Sequence, residues 1–306
     1  MMHLRHVGLL ALLGGLVDIA SATSTSRQTS TSFSWAAIEP SRTLQYHPCY
    51  DGFRCARLQV PLDWTATNTT KNSTSTRAWV VIAIISLPAS VAEDDKSFGG
   101  TIIINPGGPG VSGVTTLLSL GQTMKTMLDG KKHYELVSFD PRGTGMTTPA
   151  ADCYSGDNFR RTADSLSHGT YSLSSDLGLH LRYQEAVGRG RLCAEQHAGQ
   201  ESIFQHMSTA SVARDMLEIV DRIEEHRPTG AKQREGKPLL QYWGFSYGTI
   251  LGQAFAAMFP DRVGKMVLDG VGDAEDLLTG VRSPDSMLPL GKETETSSSL
   301  MDHNRA

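Results

Sequence analysis

The sequence predicts an α/β protein in which a mostly parallel sheet is flanked by helices. Short apolar runs bounded by glycine, proline or charge have the pattern of buried parallel strands. They are Trp79 to Leu87, Thr101 to Asn105, Glu135 to Asp140, Leu239 to Gly244 and Lys265 to Asp269. Helix-compatible segments precede and separate the last two runs, and strands that alternate with helices give a parallel sheet.

Two of these segments have the pattern of packing helices. Ser211 to Arg227 ends before Pro228 and places its apolar side chains on one stripe. Tyr247 to Phe259 is apolar and ends at Pro260. Both are expected to cover the sheet.

Composition restricts the class of partner. The 306 residues, with 39% hydrophobic and 20% charged side chains, suffice for one large domain with a core. A net charge of −4 provides no basic field of the kind that nucleic acid or anionic lipid requires. We therefore expect neither nucleic acid nor a membrane as a partner.

The N-terminus resembles a secretory signal peptide. Arg5 and His6 precede an apolar run from Val7 to Val17, and small residues follow at the expected cleavage positions. A membrane anchor is the alternative, but the run is too short to cross a bilayer. We expect a secreted, extracellular protein. The expected organisation is a signal peptide (1–22), a flexible N-terminal segment (23–48), a partial α/β domain (49–279) and an unstructured tail (280–306).

Export favours disulfides between the four cysteines. Three pairings are open, and we favour Cys49 with Cys55 and Cys153 with Cys193 because each pair lies within one local segment. The second pair would link the two ends of a long polar connecting segment, residues 151–205, at the sheet edge. The spacing resembles no zinc site, so no metal is expected.

Two glycosylation sequons agree with secretion. They begin at Asn68 and Asn72, in a stretch rich in Thr, Ser and Asn that has the composition of an exposed loop.

A nucleophile elbow is predicted at Gly244-Phe245-Ser246-Tyr247-Gly248, which follows an expected strand and opens an expected helix. Ser246 is the candidate nucleophile. Gly244 and Gly248 are needed because side chains there would collide with the adjacent backbone of the sharp turn. The alternative is an ordinary serine in a glycine-rich turn.

The glycine-rich loop from Asn105 to Gly113 also follows an expected strand. Its free N–H groups, with that of Tyr247, would stabilise the oxyanion of acyl transfer. Gly108 is the favoured loop donor and Gly107 the second choice. A phosphate-binding loop is excluded, since no Gly-Lys-Ser/Thr follows.

The turn from Asp140 to Gly145 is interpreted as structural. Asp140 or Arg142 would brace neighbouring loops through an ion pair. The alternative is that Arg142 binds a substrate carboxylate.

These motifs together resemble the tripeptidyl-aminopeptidase-like branch of the α/β-hydrolases, which is related to the proline iminopeptidases. The likeness runs from about Cys49 to Gly272, and includes Val60-Pro61-Leu62-Asp63-Trp64 and the run from Phe259 to Val271. It implies an α/β-hydrolase fold and a secreted serine exopeptidase that acts on free peptide N-termini, without a metal or organic cofactor.

The family pattern also places a helical cap, an acid and a histidine after the strand that ends at Asp269. We expect this chain to lack the cap and the last strands, with residues after Gly280 out of frame or intronic. The sole later histidine is His303, in the unpatterned tail. Without a base the serine is a poor nucleophile, so negligible activity and poor solubility are expected for the chain as written.

Two other readings remain open. A secreted carboxylic-ester hydrolase, acting on a small ester in place of a peptide, would use the same elbow and loop. A non-catalytic binding protein would keep the fold and bind peptides without turnover.

Overall fold

A computed structural model describes residues 33–66, 78–167, 175–198, 202–228 and 236–279. Within these residues a single sheet has seven strands. They are β1 (His47–Pro48), β2 (Arg54–Pro61), β3 (Trp79–Leu87), β4 (Phe98–Asn105), β5 (His133–Phe139), β6 (Leu240–Phe245) and β7 (Val263–Asp269). The predicted signal peptide, both sequons, His303 and the tail after residue 279 lie outside the described residues.

The strand order is β1-β2-β3-β5-β4-β6-β7. Strands β5, β4, β6 and β7 run parallel to one another, whereas β1, β2 and β3 form an antiparallel flank that joins at β5. The predicted α/β fold is therefore confirmed, with one correction. Trp79–Leu87 was expected to be parallel, but it pairs antiparallel with both neighbours. Its continuous apolar run reflects burial on both faces, which does not by itself fix strand direction.

Six helices accompany the sheet in the described residues. They are α1 (Gly113–Leu128), α2 (Asn158–Ser167), α3 (Asp176–Gln196), α4 (Thr209–His226), α5 (Tyr247–Met258) and α6 (Ala274–Thr279). Both predicted packing helices are present, as α4 and α5, and each ends within two residues of its predicted end.

The helices cover both faces of the sheet. The apolar stripe of α4 packs with Leu251 and Phe255 of α5 against alternate residues of β3, among them Ile82 and Ile84. Helix α1 lies against the opposite face, where a side chain at Gly121 would contact Leu87. Because α1 and α5 connect parallel neighbours, the loops before these helices both lie at the carboxyl ends of the strands.

The segment 34–48 corrects the expected boundary of the domain. It was assigned to a flexible tail, yet Trp35, Ile38 and Leu44 are buried and β1 pairs with β2. The compact unit that contains the sheet begins at Ser34. Because apolar residues are sparse in this segment, the sequence does not indicate that these three side chains are buried.

The excursion after β5 is largely helical. Residues 151–205 were expected to be weakly periodic, and they contain α2 and α3, whose Phe159, Leu177 and Tyr183 are exposed. In α3 the exposed apolar side chains leave no amphipathic pattern, whereas α2 is amphipathic.

The cysteines form the two pairs that the sequence favours. Cys49 is bonded to Cys55, and Cys153 is bonded to Cys193 across 40 residues. Among the described helices, none is long and apolar enough to cross a membrane.

Candidate active site

Ser246 lies between β6 and α5 at the carboxyl end of the parallel strands. Its backbone has φ +52° and ψ −122°, a region that residues other than glycine rarely adopt. Two contacts hold this conformation. The Ser246 N–H donates to the Asp269 carbonyl at 3.0 Å, and the Thr249 hydroxyl donates to the Ser246 carbonyl at 2.7 Å. The serine therefore occupies a sharp turn that its neighbours fix.

The glycines on either side of Ser246 allow the turn to pack. A β-carbon at Gly244 would lie 2.5 Å from the Gly248 carbonyl oxygen, and one at Gly248 would lie 2.6 Å from the Asn105 carbonyl oxygen. Neither contact is sterically possible, as the sequence pattern predicts. Tyr242 supports the same turn from below: its phenol donates to the Gly248 carbonyl at 2.7 Å. Burial raises the pKa of that phenol, so it remains a protonated donor.

The glycine-rich loop after β4 packs directly onto the elbow. Gly107 has φ +95°, and a β-carbon there would lie 2.4 Å from the Phe245 carbonyl oxygen. The Gly107 N–H is already used, because it donates to Asn105 Oδ1 at 3.0 Å. Among the described residues, no acceptor is bonded to the N–H of Gly108 or of Tyr247. The geometry thus favours Gly108 over Gly107 as a donor to a ligand.

Ser246 opens into a cleft of about 510 Å³. Gly108 and Pro109 form one side, the first turn of α5 forms the floor, and residues 270–273 with α6 form the other side. Among the described residues that line it, Asp273 and Asp276 are charged, and none is a lysine, arginine or histidine. The cleft therefore combines a serine, two unoccupied N–H groups and two carboxylates.

Among the described residues no histidine lines this cleft, and the Ser246 side chain has no hydrogen bond to a lining carboxylate. Asp269, which ends β7, has an exposed side chain, and its carbonyl binds the Ser246 N–H. That contact makes the Asp269 backbone part of the turn that holds Ser246.

Arg142 is a structural residue and is fully buried. Its Nε and Nη2 bind both carboxylate oxygens of Asp215 at 2.5 and 2.7 Å. Nη1 donates to the carbonyls of Leu62 and His206, and Nη2 also donates to that of Pro61. These bonds use all five N–H groups of a guanidinium. The alternative in which Arg142 binds a substrate carboxylate does not fit this arrangement.

Trp64 completes this unit, since its indole N–H donates to Asp215 Oδ1 at 2.8 Å. We call the unit of Arg142, Asp215, Trp64 and the carbonyls of Pro61 and Leu62 the Arg142 bracket. Burial raises the pKa of the Asp215 carboxyl, and the bonds from Arg142 oppose that rise.

Asp140 joins the start of α1 to the turn that follows β5. Its Oδ1 accepts from the Ser112 hydroxyl at 2.6 Å and the Val114 N–H at 3.0 Å, and its Oδ2 accepts from the Met146 N–H at 2.7 Å. The carboxylate also lies at the positive end of α1. Both residues of the turn thus brace loops, as the sequence interpretation has it.

Several residues of the site were not singled out from the sequence. Asn105, Thr249 and Gln253 contact the elbow and the cleft wall, but each is a common polar residue without a motif of its own. Asp215 lies in the helical pattern of α4, where a charged residue normally faces solvent. Within the described residues, no group of three or more His, Cys, Asp or Glu side chains could hold a metal ion.

The family is established by sequence comparison. Residues 100–295 match the family described as alpha/beta hydrolase fold. The chain belongs to this family. A solved structure of a probable hydrolytic enzyme from Pseudomonas aeruginosa PAO1 resembles it weakly, with a TM-score of 0.36 and 15% identity over 83% of this chain and 53% of that one. Because that likeness is weak, the assignment rests on the sequence match.

Named relatives are peptidases and an esterase. The chain is 32% identical over 223 residues to serine protease Hip1 of Mycobacterium tuberculosis, a match that covers 72% of this chain and 36% of the relative. It is 31% identical to a tripeptidyl aminopeptidase of Streptomyces lividans, over 56% of this chain and 28% of that protein. Carboxylesterase B of Mycobacterium tuberculosis is 32% identical over 53% of this chain and 28% of the relative. The matched segment thus spans about a third of these relatives.

Proposed function

We propose that this protein is a secreted serine hydrolase that removes short peptides from free N-termini through an acyl intermediate on Ser246. One observation carries the proposal: a strained elbow serine shares a cleft with two N–H groups that have no acceptor among the described residues. Preorganised donors of this kind are what acyl transfer needs beside a nucleophile.

In this reaction the Ser246 oxygen attacks the substrate carbonyl carbon and its proton passes to a base. The carbonyl oxygen gains negative charge, and the Gly108 and Tyr247 N–H groups stabilise it. The peptide C–N bond then breaks, the amine leaves with the proton, and water hydrolyses the ester on Ser246. Because no histidine is among the described cleft residues and neither aspartate is hydrogen-bonded to Ser246, we propose that these residues alone turn substrate over slowly.

The charges of the cleft support a substrate with a positive N-terminus. Asp273 and Asp276 line it, and none of the described lining residues is basic, so an ammonium group is favoured over a carboxylate. The relative that is named a tripeptidyl aminopeptidase agrees with this choice. We expect an N-terminally free tripeptide anilide to bind about ten-fold more tightly than its acetylated form, at a gain of about 1.4 kcal/mol.

Secretion is supported by the two disulfides, since structural disulfides persist in oxidising compartments. The predicted signal peptide and sequons agree with it. Analysis of medium and cell fractions from a eukaryotic host would test this part of the proposal: intact protein confined to the cells would contradict it.

The nucleophile is tested by supplying a general base from solution. Turnover of a tripeptide p-nitroanilide is measured with and without imidazole, for the unaltered chain and for Ser246→Ala. A positioned general base contributes about 10²–10⁴ in rate, and a diffusing one should recover about ten-fold. We expect imidazole to accelerate only the protein that contains Ser246.

Each other outcome is decisive. An equal imidazole effect in Ser246→Ala contradicts the role of Ser246. Rapid turnover without imidazole that Ser246→Ala abolishes supports the nucleophile and contradicts the slow basal rate. Peptide binding without any Ser246-dependent turnover favours the non-catalytic binding protein.

An ester hydrolase is the second candidate, because one of the relatives is named carboxylesterase B. The same imidazole experiment with a matched alkyl ester separates the two. Faster Ser246-dependent turnover of the anilide than of the uncharged ester favours the peptidase, and the reverse order favours the esterase.

A further inference from the structure

On the side of the cleft opposite the glycine-rich loop, side chains of α5 bind the backbone of Gly272. Gly272 lies between β7 and α6, beside Asp273. Its N–H donates to the Thr249 hydroxyl at 2.9 Å, and its carbonyl accepts from the Gln253 side-chain amide at 3.3 Å. The backbone N–H and the carbonyl of Gly272 are therefore both bound by side chains of α5.

Thr249 and Gln253 are four residues apart on α5, so their side chains share one face of that helix. The same helix begins immediately after Ser246. The Thr249 hydroxyl is fully buried and also donates to the Ser246 carbonyl at 2.7 Å. One hydroxyl thus connects the backbone of the nucleophile to the backbone of the opposite wall.

Other hydrogen bonds flank this wall: the Asp269 carbonyl accepts from the Ser246 N–H, and Asp273 Oδ1 accepts from the Glu275 and Asp276 N–H groups at the start of α6. Val271 is 65% exposed, and Asp273 is also exposed. Gly272 rests on Ile250, whose Cδ1 would lie 3.2 Å from a β-carbon at that position. A segment with few buried contacts opens easily unless hydrogen bonds hold it. The bonds from Thr249 and Gln253 are therefore the side-chain contacts from α5 that fix Gly272, the residue before Asp273.

We propose that Thr249 and Gln253 are positioning residues, which clamp Gly272 so that the Asp273 carboxylate faces the N-terminal ammonium of a substrate bound at Ser246. The inference rests on the proposed function, since it assigns the recognised group to an N-terminally free peptide. The clamp acts through Gly272 and touches neither the reacting atoms nor the substrate.

The test compares Thr249→Val with Thr249→Ser in the full chain. Valine has nearly the shape of threonine but can neither accept from Gly272 nor donate to Ser246, whereas serine keeps the hydroxyl. Two quantities are measured: hydrogen exchange of the Gly272 amide, and calorimetric affinity for trialanine and for N-acetyl-trialanine. Neither measurement requires turnover.

Loss of one hydrogen bond should accelerate Gly272 exchange about ten-fold and weaken trialanine binding about five-fold in Thr249→Val. Binding of the acetylated peptide should change less than two-fold, since it lacks the ammonium. Thr249→Ser should stay within about two-fold of the unaltered protein in both measurements. Gln253→Met, which removes the other bond, should repeat the valine result with a smaller effect.

Three results overturn the inference. The first is unchanged exchange and affinity in Thr249→Val. The second is faster exchange with unchanged trialanine affinity, which shows a clamp without a role in recognition. The third is equal weakening of both peptides, or no binding of either. The imidazole experiment depends on Ser246 and not on this clamp, so the proposed function can stand when the inference falls.

Discussion

The Ser246 elbow and the Arg142 bracket both fix loops, but through different contacts: Ser246 is exposed in the cleft, whereas Arg142 and Asp215 are buried. At the elbow, backbone packs on backbone, and glycines make the approach possible: a β-carbon at Gly107 would lie 2.4 Å from a carbonyl oxygen. In the bracket, one guanidinium uses all its donors to join three distant segments. The comparison shows that the turn at Ser246 is fixed by close backbone contacts that glycines allow, whereas the surrounding segments are held together by a buried charged side chain.

The largest expected effect is on stability, from Arg142→Met. Removing the guanidinium leaves the Asp215 carboxylate buried without its partner, which costs about 3–5 kcal/mol. Arg222→Met is the matched control, because Arg222 pairs with Glu218 at 2.8 Å near the surface of α4. That pair should contribute under about 1 kcal/mol. Urea unfolding measures both changes.

The double variant Arg142→Met with Asp215→Leu sharpens this prediction. Removing both charges leaves no unpaired ion, so it should be more stable than Arg142→Met alone. A double variant that is less stable than the single one would show that the bracket contributes by packing and not through the charge pair.

Part of this contrast was visible in the sequence. The elbow occupies five consecutive residues, so its glycine spacing and its place after an apolar run are local signals. Arg142 was interpreted as a brace from its turn alone, whereas its partner Asp215 lies 73 residues away and no local pattern indicates it. The sequence analysis assigned no role to the motif from Val60 to Trp64. In the structure, residues of this motif bind Arg142 and Asp215.

The limits of the fold prediction have similar causes. Parallel strands are continuous apolar runs and were found, whereas β2 alternates with Arg57 and Gln59 and carries no such run. Helix α3 leaves Leu177 and Tyr183 in solvent, so periodicity does not show it. Tertiary contacts decide which distant residues pair and which apolar side chains stay exposed. A short window of sequence does not contain those contacts.

A second prediction concerns the backbone approach at the elbow. Gly107→Ala and Gly110→Ala both place alanine at φ +95°, but only the first meets neighbouring backbone within 4 Å. Gly107→Ala should therefore be less stable than Gly110→Ala by about 1–3 kcal/mol. It should also lower imidazole-dependent turnover about a hundred-fold, because the loop donor is displaced.

Equal loss of turnover in the two alanine variants would contradict this account. It would attribute the effect to the strained φ angle that both variants share and not to the contact between loop and elbow.

The smallest expected effect separates the side chain of Tyr247 from its backbone. Its hydroxyl is bonded to Thr209 Oγ1 at 2.7 Å, and this contact ties α5 to α4. Tyr247→Phe should cost about 1 kcal/mol in thermal unfolding. Turnover should be nearly unchanged, because the proposed donor is the backbone N–H. A large loss of turnover at intact stability would show that the hydroxyl itself acts on the substrate.

Labelling by a fluorophosphonate tests the central claim most directly, because such a reagent forms a stable ester with an activated serine hydroxyl. The unaltered protein and Ser246→Ala are treated in the presence of imidazole, digested and mapped by mass spectrometry. We predict one adduct, on the peptide that contains Ser246, and none in the alanine variant. An unmodified Ser246, with or without label elsewhere, would contradict its assignment as the nucleophile.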